Sequence, residues 1–189
     1  MKNIFIRQQK WLKSVAALSG RILTVAGLVL MFGQQSFGQQ LQMSDFVLFS
    51  GSIQSGCTSP SSPGAGVFMG SSSSVTGGGT VGSLKLVNTS GSATIMGNIS
   101  SLGKVVLANS NVVSGKITAA NSPAVTGTIV SVGSNANLSG NIDVNGNCVV
   151  SGGTVSGKVT HPTGTTYTGP TPAGGNVTAA PSLPTFPSL

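Results

Sequence analysis

The chain has 189 residues, enough for one domain, and a net charge of +7 from nine Lys and Arg against two Asp. Lys2, Arg7, Lys10, Lys13 and Arg21 stand ahead of an apolar run, and only Lys85, Lys104, Lys116 and Lys158 follow it, against Asp45 and Asp143. So weak a balance is no footprint for nucleic acid, and a chain without glutamate lacks the paired carboxylates of acid–base chemistry.

Residues 1–38 read as a signal peptide. A basic stretch precedes the apolar run Ile22 to Phe32, and Ser36-Phe37-Gly38 supplies small residues for cleavage between Gly38 and Gln39. The apolar run is too short to cross a bilayer as a helix, so no membrane span is expected after cleavage. The competing reading is an uncleaved N-terminal anchor. No cysteine follows closely, so a lipid anchor is not indicated.

Residues 39–74 read as N-terminal strands, a loop and a cap. Asp45-Phe46-Val47-Leu48-Phe49 and Val67-Phe68-Met69 are strand candidates, and the Gly/Ser/Pro-rich stretch between them is an irregular loop. Phe46, Phe49 and Phe68 are expected to cover the open end of the repeat core.

Residues 75–167 are repetitive. An aliphatic residue, any residue, glycine, any residue, an aliphatic residue recur in Ile95–Ile99, Val113–Ile117, Val125–Ile129, Leu138–Ile142 and Val155–Val159, centred on Gly97, Gly115, Gly127, Gly140 and Gly157. On an extended chain the flanking aliphatics face the same way. Each glycine serves either a corner with positive φ or a close approach between coils. The first residues of successive copies lie 18, 12, 13 and 17 apart. At about six residues per face these are three, two, two and three faces of a three-sided coil. The fold expected is all-β: a single-stranded, right-handed β-solenoid (β-helix) of about five short irregular coils with an N-terminal cap, roughly 25 Å long.

Residues 168–189 hold five of the nine prolines and read as a Pro-rich C-terminal tail or linker. His161 reads as a polar residue at the end of the solenoid. Two cysteines leave two options. Cys57 and Cys148 could form a disulfide in an oxidising compartment, or Cys148 could be a small buried apolar residue.

No catalytic, cofactor-binding or metal-ligating residue emerges. No signature copy carries the Asp of a calcium-binding repeat, and His161 has no Cys or carboxylate at ligand spacing. No Gly-x-Ser-x-Gly elbow sits between a strand and a helix, and Gly77-Gly78-Gly79 precedes a strand candidate, not the helix a phosphate cradle needs.

The segments Phe46–Gly51, Leu107–Val113, Ser131–Asn135, Gly140–Asn147 and Val159–Tyr167 carry a resemblance to the N-terminal β-solenoid region of large exported cell-surface, adhesin-like proteins of Bacteroidota. The repeat texture is also similar to bactofilins, polymer-forming bacterial β-helix proteins that are typically cytosolic. The resemblance implies a secreted or surface-exposed structural or adhesive module, not an enzyme. Its expected partners are cell-surface components, extracellular polysaccharide or further copies of itself, with no nucleic acid and no cofactor. Such proteins usually continue into further β-rich domains and a sorting domain, so the end at Leu189 implies a truncated piece of a larger protein or a free small solenoid. The alternatives are a self-assembling filament protein and an ice- or polysaccharide-binding module.

Overall fold

The computed structural model describes residues 39–51, 66–122, 124 and 126–188. The predicted signal segment through Gly38, together with Cys57, Pro123 and Val125, lies outside them.

The described chain coils through three parallel sheets, and each turn contributes a strand to each sheet in sequence. The first turn is β1 (Phe46–Ser50), β2 (Gly66–Met69) and β3 (Ser74–Val75). The second is β4 (Thr80–Ser83), β5 (Leu86–Thr89) and β6 (Thr94–Ile95). The third is β7 (Asn98–Ser101), β8 (Lys104–Leu107) and β9 (Val112–Val113). The fourth is β10 (Ile117–Ala119), β11 (Thr128–Val132) and β12 (Ala136–Leu138). The fifth is β13 (Ile142–Val144), β14 (Asn147–Val150) and β15 (Gly153–Val155). The last turn has β16 (Val159–His161) and β17 (Tyr167–Thr168), and β18 (Asn176–Thr178) begins one more rung.

The first sheet runs β1-β4-β7-β10-β13-β16-β18, the second β2-β5-β8-β11-β14-β17, and the third β3-β6-β9-β12-β15. Every pairing among these strands is parallel. A parallel neighbour one turn away is what a solenoid supplies, because the rest of the turn is the crossover.

The core is a bundle of aliphatic columns, one residue per turn. Val81, Ile99, Ile117, Ile142 and Val159 stack in the first sheet. Val87, Val105, Val130 and Cys148 stack in the second, and Val75, Ile95, Val113, Leu138 and Val155 in the third. Nearly all are fully buried. β-Branched residues predominate because each packs on its equivalent above and below with one favoured χ1.

The three-sided all-β solenoid expected from the repeats is the fold. Its coil count and handedness differ from the expectation: there are about six turns, not five right-handed ones. The extra turn comes from both ends. β1 and β2, expected as part of a cap, pair with β4 and β5, and β18 in the expected tail pairs with β16. Handedness is invisible to spacing, since same-face periodicity is identical in either hand.

The signature is a corner, not a strand. Ile95 ends β6 and Ile99 lies in β7, with Gly97 between them where the third sheet gives way to the first. Gly97, Gly115, Gly140 and Gly157 form one column, so these copies do mark one turn each. A Cβ on Gly140 would run into the carbonyl oxygen of Gly115, and a Cβ on Gly157 into that of Gly140. Close approach, not positive φ, is what this column demands; none of the four is among the residues with φ above zero.

Gly127 is the exception. It has φ +87° and open space where a Cβ would go. It belongs to the 120–127 link between β10 and β11, where β4–β5 and β7–β8 are joined by two residues each. The 12- and 13-residue spacings therefore make one enlarged turn.

Candidate binding cleft

Alternation along the first sheet sends Val81, Ile99, Ile117, Ile142 and Val159 inward, and the residues after them outward. The outward column is Gly82, Ser100, Thr118, Asp143, Thr160 and Val177. An outward column should be wet, yet Ser100, Thr118, Asp143 and Thr160 are each no more than 6% exposed.

The cover is the C-terminal segment, residues 179–188. Ala179 N–H donates to His161 O on the last full turn at 2.9 Å. Lys116 Nζ then donates to Ser182 O at 3.1 Å midway along the stack. At the first turn Leu41 N–H donates to Thr185 O at 2.9 Å, and Thr185 N–H donates to Gln39 O at 3.0 Å. Six residues lead from Ala179 to Thr185, about 20–22 Å when extended against rungs about 4.8 Å apart, so the segment runs as a strap over several turns of the first sheet. Pro181, Pro184 and Pro187 favour the extended backbone it needs. The expected linker is in these residues a packed element.

At its far end the strap joins an aromatic cluster. Phe186 stacks on Phe46 with ring centroids 6.1 Å apart, and Phe46 meets Phe49 at 4.6 Å. Phe46 occupies the space above Gly82, where no side chain would fit. Phe68 stands apart, 42% exposed.

Between strap and sheet lies a cleft of about 720 Å³. Ser182 and Pro184 form one wall, and Gln39, Leu41, Ser44 and Asp45 close the end near the first turn. The floor is Thr80, Ser100 and Thr118, and Asn98 and Lys116 stand at the corner beside it. Thr118 Oγ1 donates to Ser100 Oγ at 3.0 Å, and Asn98 Oδ1 accepts from Lys116 N–H at 2.9 Å. Asp45 Oδ2 accepts from Gln42 N–H at 2.8 Å.

Lys116 is the central polar residue. Besides Ser182 O it meets Asp143 Oδ2 at 2.6 Å, with the carboxylate nearly buried. One ammonium therefore ties strap, sheet and the lone carboxylate of the stack together. In the sequence Lys116 and Asp143 stand out only as charges. The signal was their positions, both beside the inward column of the first sheet one enlarged turn apart.

The remaining polar groups serve the stack. Asn141 Oδ1 accepts from Lys158 N–H, and Asn147 Oδ1 from Thr166 N–H, both at 2.9 Å. Buried Asn111 donates to Ala108 O at 2.7 Å. His161 ends β16 in the last turn and is 4% exposed, with Nδ1 3.1 Å from Thr165 Oγ1. Cys148 is fully buried in its aliphatic column, and burial pushes its thiol from 9.0 up to about 12. Its proposed partner Cys57 lies outside the described residues. Tyr167 closes that column, its phenol donating to Pro170 O at 2.6 Å; burial, then the neighbouring Cys148, pushes it up to about 12.

Among the described residues, no three His, Cys, Asp or Glu gather where a metal could bind, and no helix is long and apolar enough to cross a membrane. No protein-family model, curated protein or solved structure matches the chain.

Proposed function

We propose that the chain is an exported, non-catalytic structural or adhesive β-solenoid module that works at the cell surface. The observation that carries this reading is the commitment of its side chains to stacking. Inward columns, corner glycines and corner asparagines all bond one turn to the next, which makes a stiff rod with three long faces. The basic stretch, apolar run and small-residue site before Gln39 support export. Fractionation of a producing bacterium with N-terminal sequencing tests it. Mature protein starting at Gln39 outside the cytoplasm is the expected result; cytoplasmic protein retaining residues 1–38 sinks the reading.

A second reading, end-to-end self-association, draws support from β18, which ends the first sheet with all three residues exposed. Sedimentation of the purified chain over a wide concentration range separates the two: a constant monomer leaves only the first.

A further inference from the structure

We propose that the cleft under the strap is a binding site for a neutral, hydroxyl-rich ligand, the end of an oligosaccharide. Its volume of about 720 Å³ falls within the roughly 300–1,000 Å³ of small-ligand sites.

The chemistry of the lining selects the ligand class. Thr80, Ser100 and Thr118 line the floor and are each more than nine-tenths buried, so their hydroxyls are held in place by packing before any ligand arrives. The Thr118 and Ser100 hydroxyls lie 3.0 Å apart, and Thr118 Oγ1 is also 3.4 Å from Ile99 O, so the pair is oriented within the floor. Around them stand the Ser44 hydroxyl and the amides of Gln39 and Asn98. Hydroxyls and amides both give and accept hydrogen bonds, as sugar hydroxyls do, so such a lining matches a polyol at many points.

Charge argues against the competing classes. One carboxylate, Asp45, and one ammonium, Lys116, line the cleft, and Lys116 is already engaged by Asp143 and the Ser182 carbonyl. A phosphate would need uncommitted cations, and a divalent cation more than one carboxylate. An apolar ligand would meet a lining in which only Leu41, Gly79 and Pro184 lack a polar side chain.

The site also explains the strap. A rod needs no cover on a polar face; a Pro-rich wall beside the sheet makes that face concave. The inference rests on the reading of the chain as an extracellular module, where glycans are the abundant polyols, but its test does not depend on location.

The test is titration of the purified chain from Gln39 onward with maltotriose, cellotriose, mannotriose and chitotriose at up to millimolar concentration, followed by amide NMR shifts. The expected result is saturable binding of at least one trisaccharide, with shifts confined to the cleft. Thr118→Val keeps the shape of the side chain and removes the hydroxyl, and should weaken binding about tenfold. Thr168→Val, on the exposed face of the second sheet, should leave it unchanged and serves as the folding control. No binding by any of the four, or binding that survives Thr118→Val but falls with Thr168→Val, overturns the proposal. Either result leaves the export reading standing, and a cytoplasmic location would leave the cleft measurement standing.

Discussion

The stacked turns and the strap laid across them are held by opposite means. In the stack each turn meets the next through parallel ladders, three of them between all but the last pair of turns, together with aliphatic columns and a glycine corner with no room to spare. The strap, over a similar length, is fixed at a few points: Ala179 at one end, Lys116 in the middle, Thr185 and Phe186 at the other. The stack is therefore cooperative between neighbours, whereas the strap should open locally at a lower cost. A binding wall belongs on the element that can move, and the scaffold on the one that cannot.

The largest expected effect probes the dryness of the stack. Burial raises the Cys148 thiol to about 12 in the fold against 9.0 as its ordinary value. The folded state therefore holds the proton more tightly than the unfolded chain does. The stabilisation is fully present below pH ~9 and is lost as pH climbs towards ~12, at about 1.4 kcal/mol per pH unit. The ceiling is about 4 kcal/mol over three units. Urea unfolding across that range should show a steep alkaline loss, shallower in Cys148→Ala. Tyr167 contributes with the same sign and stays in both proteins. Equal slopes would mean the second-sheet column is open to water.

Next is the glycine column. Gly140→Ala places a methyl against the Gly115 carbonyl, and overpacking of this kind costs roughly 1–3 kcal/mol. Gly127→Ala meets no atom and carries only the strain of its positive φ, about 1 kcal/mol. Thermal unfolding by circular dichroism should rank Gly140→Ala as the more damaging. The reverse order would break the assignment of Gly127 to an insertion.

The strap prediction is smaller in global stability and larger in local exchange. Phe186→Ala removes the ring that stacks on Phe46. Amide hydrogen exchange should quicken at Leu41 and Thr185, whose N–H groups hold the clamp. The urea midpoint should move by less than about 1 kcal/mol. A global loss as large as that of Gly140→Ala would make the strap part of the stack and erase the contrast.

Much of the stack was legible in the sequence because its contacts recur at nearly fixed spacing. Ile99, Ile117 and Ile142 are inward residues in register, and a repeated aliphatic is enough to show that. Two features misled. The aliphatics of the four signatures centred on Gly97, Gly115, Gly140 and Gly157 point inward across a bend, where an extended segment is expected; a corner and a strand leave the same five-residue pattern. Gly127 copies the signature with none of its packing, since the motif records residue types and not what lies above them. The strap and cleft were illegible for a different reason. Thr185 bonds to Gln39 and Leu41 across nearly the whole described chain, and a Pro-rich stretch reads the same whether it lies on a sheet or in solvent. Lys116 lost its role with it, because its partners Ser182 and Asp143 are neighbours only in the fold.

The smallest effect concerns the corners between the second and third sheets. Ser72, Ser92, Ser110 and Asn135 stand there with φ of 61°, 60°, 60° and 57°. They are equivalent positions in successive turns, for Ser72 N–H donates to Gly91 O, Ser92 N–H to Asn109 O and Ser110 N–H to Ser134 O. The left-handed conformation costs an ordinary L-residue roughly 1–2 kcal/mol, and Asn less than Ser because its short amide side chain tolerates it. The fourth turn already uses Asn135. Ser110→Asn should therefore stabilise the stack by a few tenths of a kcal/mol, up to ~0.5, read as a raised urea midpoint with unchanged slope. The same substitution at Ser188, exposed on the strap, should leave the midpoint where it is. A gain at Ser188 and none at Ser110 would mean that the corners carry no strain and that the strap, not the stack, limits stability.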